Sequence, residues 1–178
     1  MAGRVAGKVG LTAAGVRPAT AGDASAIAAI YAHHVRHGTA TFDTAPPTVD
    51  DWTDKIATLA ARGWPFLVAE IDGEVAGYAY AAQFRDRAAY ARTCENSIYV
   101  RAAYHGRGIG TVLIEALCDA AACCGFHEMI AVIGGSEPAS VALHAKAGFR
   151  HVGRLERVGQ KFGRLLDTVY MQNTLIKS

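Results

Sequence analysis

Several features that mark functional classes are missing from this chain. Its apolar stretches are short and broken by glycine or charge, well under the roughly 20 residues that a membrane-spanning helix needs, so no membrane partner is expected. Charge of one sign is also missing: 18 Lys and Arg stand against 16 Asp and Glu, a net charge of +2. That balance leaves no broad basic surface for nucleic acid. Met1 to Gly15 are rich in Ala and Gly but have no continuous apolar core of the signal-peptide kind, and they read as a disordered extension. Cysteine is scarce, and Cys94, Cys118, Cys123 and Cys124 form no Cys-x-x-Cys pair, which fits a reduced cytoplasm. Neither the cysteines nor the seven histidines show metal-ligand spacing, so no metal is expected. Residues 16–178 then fit one domain, long enough to bury a substantial core.

What is present concentrates between Thr93 and Gly125. An apolar strand ending Ser97-Ile98-Tyr99-Val100 leads through Tyr104-His105-Gly106-Arg107-Gly108-Ile109-Gly110 into a helical pattern. Alternating glycines bare the backbone, and the following helix offers unpaired N–H groups and a positive dipole end, so the segment reads as a phosphate cradle. A tight strand-to-helix connection has the same look. A nucleoside-triphosphate loop would need Lys then Ser or Thr after its last glycine, whereas Thr111 and Val112 follow Gly110. A dinucleotide fingerprint needs a different second glycine interval and an early position in the chain.

The remaining elements follow from periodicity and turn residues. A first strand around Val16-Arg17-Pro18 precedes a helix capped by Asp23, with Ile27, Ile30, Tyr31 and Val35 at helical spacing. His33, His34 and His37 cluster at its end, where imidazoles suit the helix dipole. Thr48 and Asp51 form a capping box for a second helix carrying Trp52, Ile56 and Leu59, and Gly63 ends it. Strands at 66–71 and 74–82 flank Asp72-Gly73, a type I′ hairpin signal. After the strand at 93–100, a helix from Ile109 sets Val112, Leu113, Ala116, Leu117 and Ala120 on one face and stops at Gly125. A strand at 129–133, a helix at 139–147 and strands at 151–158 and 165–175 around a Gly159–Gly163 turn complete the order. Such an order gives an α+β fold, a mixed sheet covered by helices.

The loop core from His105 to Gly110 resembles the acetyl-CoA pyrophosphate loop of the GNAT superfamily of N-acetyltransferases, with His105 in place of the usual Arg or Gln. Four further segments resemble the phosphinothricin and methionine sulfoximine acetyltransferase branch. They are Thr39-Ala40-Thr41-Phe42, the Trp64 to Tyr80 hairpin, Arg85 to Tyr90 with Glu95 to Val100, and Ala131 to Gly134 with Ser140 to His144 and Gly148-Phe149. The resemblance implies a mostly antiparallel central sheet with helices on both faces, splayed between its fourth and fifth strands. It also implies a homodimer and acetyl-CoA as co-substrate. Ile98, Tyr99, Val100, the loop residues His105, Gly106, Arg107, Gly108, Ile109 and Gly110, and Ser140 and His144 would then hold the cofactor. Glu137 stands where the family commonly has Asn and would repel that cofactor if it pointed inward.

Acetyl transfer to an amine needs a base for the ammonium, a polarised carbonyl and a proton for the departing thiolate. Read alone, Glu95 is a strand-end carboxylate; the resemblance makes it the general base. His144 is read either as a helix histidine packed on Phe149 or, by the resemblance, as the proton donor to the thiolate. Cys94 reads as a small packing residue. Arg85 and Arg87, two apart in an expected extended segment, would point the same way toward a substrate carboxylate. With Tyr90, Thr41 and Phe42 they form the substrate-facing set that the resemblance implies. The expected activity is N-acetylation of the α-amine of a small amino-acid-like compound of the phosphinothricin, methionine sulfoximine or methionine sulfone type. The alternatives are another small amine or a peptide terminus as acceptor, or a non-catalytic acyl-CoA sensor.

Overall fold

The computed structural model describes residues 14–176, so most of the expected N-terminal extension lies outside the described residues. Elements run β1 (Gly15–Pro18), α1 (Ala24–His37), α2 (Val49–Ala61), β2 (Phe66–Ile71), β3 (Glu74–Gln83), β4 (Thr93–Val100), α3 (Ile109–Cys123), β5 (Glu128–Gly134), α4 (Pro138–Lys146), β6 (Arg150–Lys161) and β7 (Arg164–Thr174). The seven strands form one sheet in the order β1-β2-β3-β4-β5-β7-β6, and only β4 and β5 run parallel. This is the mixed α+β arrangement expected.

Strand alternation divides the core between two faces. Phe66, Val68 and Tyr78 pack under α1 and α2 with Ile27, Ile30, Trp52, Ile56 and Leu59. Leu67, Ala69 and Ala79 face the other way, against Leu113, Ile114 and Leu117 of α3. Because β2 is buried on both sides, its sequence Phe-Leu-Val-Ala is continuously apolar. Helices therefore cover both faces.

Turn chemistry sets the register. Asp72 and Gly73 have φ of 51° and 82°, the two positive values that a type I′ turn requires. The Thr48 side chain accepts from the Asp51 N–H and completes the expected box at the start of α2. Three expectations are corrected. Asp23 holds the N-cap position of α1, but its carboxylate makes no cap bond there; it accepts from the Thr20 N–H and pairs with Arg17, boxing a 3₁₀ turn that precedes the helix. The buried stripe of α3 is Ile109, Leu113, Ile114, Leu117 and Ala121, and Val112 is exposed because α3 packs one side on the sheet. The closing turn is only Phe162-Gly163, with φ of 52° and 72°, since β6 and β7 pair as far as Lys161 and Arg164.

The feature that positions the site is an interrupted ladder. Pairing of β4 with β5 runs from Thr93↔Glu128 to Asn96↔Ala131 and stops, while β4 continues along β3 and β5 along β7. The expected splay between the fourth and fifth strands is present.

Candidate active site

Two connected hollows open where the strands part. The larger, about 530 Å³, lies between the C-terminal end of α1, the outer half of β4, the 105–110 loop and the start of α4. The smaller, about 280 Å³, lies deeper and is lined by Tyr31, Thr41, Phe42, Glu95, Asn96 and His144 among others. Ala40, Ile98, Tyr99 and Ser140 line both, so the hollows form one channel with Ser140 at the junction.

The outer hollow has an anion cradle. Gly106 and Gly108 have φ of 74° and 80°, and a Cβ on either would meet nothing within 4 Å, so the loop is open to a ligand. Gly108 is also the N-cap of α3, whose first N–H groups lack intrahelical acceptors. Gly110 serves differently: it lies inside α3, and a Cβ there would stand 3.1 Å from the Leu143 side chain. Its bareness lets α3 and α4 approach.

Alternation along β4 aims the backbone groups of Ile98 and Val100 away from β3, into the gap. Ile98 has no strand partner there. The carbonyl of Val100 is already taken, accepting from Nε2 of His34 and of His105 at 3.0 Å each. The two imidazoles that occupy the Val100 carbonyl come from α1 and the glycine loop. Glu137, the N-cap of α4, lines the same hollow.

The inner hollow brings Glu95 and His144 together, although 49 positions separate them. Burial lifts the Glu95 carboxyl above its ordinary value, and the positive charge of Arg85 partly opposes this. No side-chain hydrogen bond or ion pair among the described residues holds Glu95, so its oxygens are available as proton acceptors. His144 is 2% exposed and packs edge-on against Phe149, ring centroids 5.0 Å apart. Its Nδ1–H donates to the Ser140 carbonyl at 2.8 Å, and burial depresses its pKa. Asn96 Oδ1 stands 3.1 Å from Nε2, and the Asn96 amide nitrogen donates to the Ile130 carbonyl at 3.4 Å, so both ring nitrogens face oxygens. Asn96 is a site residue that sequence reasoning missed. A polar side chain at the last paired position of β4 was the available signal.

Thr41 and Phe42 line the inner hollow, on a loop fixed from three directions. Thr41 Oγ1 meets the Tyr31 hydroxyl at 2.7 Å, and the buried Lys161 ammonium donates to the Thr41 carbonyl at 2.8 Å. Phe42 lies on Gly159, where a Cβ would come within 2.3 Å of the ring. Gly159→Ala is therefore expected to displace Phe42 and raise KM for the acceptor at least several-fold, leaving cofactor affinity unchanged. Steady-state kinetics alongside calorimetry checks this.

Arg85, Arg87 and Tyr90 line neither hollow and are exposed. The extended segment expected there is absent. Residues 84–87 are bends, with the Arg87 N–H returning to the Arg85 carbonyl at 2.8 Å, and Tyr90 ends a 3₁₀ turn. A turn of that kind abolishes strand alternation, so the two guanidiniums do not share a face by periodicity. Arg85 still exerts its charge on Glu95 and stacks over Phe84, whose ring meets Tyr90 edge-on.

With this geometry in hand, comparison with known proteins is decisive. Residues 27–149 match the acetyltransferase (GNAT) family. The chain belongs to that family. It is 44% identical to phosphinothricin N-acetyltransferase of Alcaligenes faecalis over 97% of this chain and 88% of that protein. It is 39% identical to L-methionine sulfoximine/L-methionine sulfone acetyltransferase of Pseudomonas aeruginosa, over 91% of this chain and 95% of the other. Among solved structures, a GNAT phosphinothricin acetyltransferase from Sinorhizobium meliloti in complex with AcCoA superposes with a TM-score of 0.88 at 41% identity, covering 90% of this chain and 88% of that one. The strand splay and glycine loop of this acetyltransferase thus lie in a fold shared with an AcCoA-bound relative.

Proposed function

We propose that the protein transfers the acetyl group of acetyl-CoA to the α-amine of a small amino acid of the phosphinothricin, methionine sulfoximine or methionine sulfone type. The observation that carries this reading is the continuous channel, with a glycine-bared anion cradle at one end and an unpaired, half-buried glutamate at the other. Relatives named for those substrates at 39–44% identity support the substrate class. When bound, acetyl-CoA supplies the activated acyl carbonyl. Gly106, Gly108 and the α3 N-terminus hold its phosphates, and Ile98 offers backbone groups to its arm.

Glu95 takes the proton from the substrate ammonium, and its raised pKa makes it a better base than an ordinary glutamate once ionised. His144 is the proton donor to the departing thiolate: it lines the inner hollow beside Ser140, where the hollows join, and its lowered pKa makes the protonated ring a stronger acid than an ordinary imidazolium. Residues 16–178 act as one acetyltransferase domain. A homodimer is supported by the apolar side chains that β6, β7 and their turn expose, among them Leu155, Val158, Phe162 and Leu165. Four free cysteines support a cytoplasmic location.

Arg85 is assigned to the substrate carboxylate, with Arg87 and Tyr90 beside it. An exposed ion pair is worth about 1 kcal/mol, so Arg85→Ala should raise KM for the amino acid about fivefold. The KM for the decarboxylated amine should be unaffected. Losing that charge also lets the Glu95 pKa climb, which moves the acid limb of kcat/KM to higher pH. Unchanged discrimination between acid and amine would place the carboxylate elsewhere.

A further inference from the structure

Among the described residues, the outer hollow is lined by four histidines and by no lysine or arginine. His33, His34 and His37 come from the C-terminal end of α1, and His105 opens the glycine loop. Ring centroids of His33 and His37 are 4.8 Å apart, those of His33 and His34 5.8 Å, and those of His34 and His105 6.0 Å in a stacked pair. Four of the chain's seven histidines thus form one continuous imidazole patch beside Gly106 and Gly108.

This patch poses a charge problem. A cofactor carrying several phosphate charges would enter a hollow whose lining, among the described residues, has Glu137 as its one carboxylate and the imidazoles as its cationic groups. The facing groups are Tyr99 of β4, Tyr104 of the loop with the permanently charged Arg107 guanidinium 5.3 Å from its ring, and Glu137 of α4, with the Val100 carbonyl between His34 and His105. Both of those rings donate from Nε2 to Val100, so each has a free Nδ1 lone pair on which a proton can settle without breaking that bond.

We propose that His33, His34, His37 and His105 form a proton-linked phosphate subsite, binding the cofactor's phosphates with net uptake of protons, so that cofactor affinity rises as pH falls. The inference rests on the acetyl-CoA reading above and extends it to regulation by pH. Burial lowers the pKa of His34 in the free protein, helped by repulsion from His105 and His33 and opposed by the Val100 carbonyl and Glu137. A bound polyanion raises imidazole pKa values, and by linkage the protonated patch must bind that anion more tightly. Acceptor deprotonation runs the other way, so acidification tightens cofactor binding while it slows chemistry.

Calorimetry with 3′-dephospho-CoA tests this, since its pyrophosphate does not titrate between pH 6 and 8. Runs in buffers of different ionisation enthalpy count the protons. Uptake averaging about half a proton predicts an affinity gain of about fivefold from pH 7.5 to 6.0. The double variant His33→Asn/His37→Asn alters two exposed side chains, and His105→Gln removes a third titrating ring. Each should keep its circular dichroism, take up fewer protons and flatten the pH profile. Zero proton uptake by the unaltered protein, or an unchanged pH slope in both variants, would overturn the subsite while leaving the cofactor assignment standing. Absence of binding by both CoA and 3′-dephospho-CoA across that range would overturn the cofactor assignment, and the subsite with it.

Discussion

Glu95→Gln is expected to lower kcat near pH 7 by roughly 10²–10⁴-fold, the usual contribution of a positioned general base. An amino acid is mostly an ammonium at that pH, and only its free amine attacks a thioester. Glutamine keeps the shape of the side chain and removes its basicity. No side-chain hydrogen bond holds Glu95 among the described residues, so the substitution gives up only the attraction to Arg85 and stability should hardly change. The unaltered enzyme should show an acid limb in kcat/KM above the pKa of an ordinary glutamate, because burial raises that of Glu95 and the base works only once ionised. The variant should lose this limb and recover part of its rate at high pH, where solvent deprotonates the amine. A variant with the parental rate and pH profile would move the base to a bound water or to His144.

Gly108→Glu is expected to abolish cofactor binding while the fold persists. Gly108 sits at φ 80° in the left-handed region that L side chains rarely adopt, and it caps α3 where the anion would meet free N–H groups. A glutamate there adds strain, volume and negative charge at once. Because a Cβ at this position meets nothing within 4 Å, its side chain projects into the space left for the ligand and not into the core. Calorimetry should show affinity falling beyond detection with an unaltered circular dichroism spectrum, whereas near-normal affinity would remove the loop from the site.

Where local chemistry dictates structure, the fold was legible in the sequence. The Asp72-Gly73 turn, the Thr48 box, Gly125 and Gly148 closing helices at φ 88° and 91°, and the bounds of β4 all come from residues whose preferences are intrinsic. Errors arose where a distant partner decides. Asp23 was drawn from a cap to Arg17 of β1, and Val112 was exposed by the way α3 lies on the sheet. The glycine loop and Glu95 were readable as chemistry on one strand-loop-helix segment. The imidazole patch, the tie from His144 to Asn96 and the Lys161 bond to Thr41 were not, because each joins elements far apart in the chain. The turn at Arg87 was missed since nothing in Arg-Asp-Arg announces a bend.

The central claim is acetyl transfer to the α-amine of an amino acid, and release of free CoA thiol measures it most directly. The purified protein should release thiol from acetyl-CoA at a rate that saturates with phosphinothricin, methionine sulfoximine or methionine sulfone, with the N-acetyl product formed in equal amount. The decarboxylated amines should turn over far less efficiently. Tight acetyl-CoA binding without thiol release for any of these acceptors would contradict the account and favour an acyl-CoA sensor, while equal turnover of amino acids and their decarboxylated amines would contradict the substrate class.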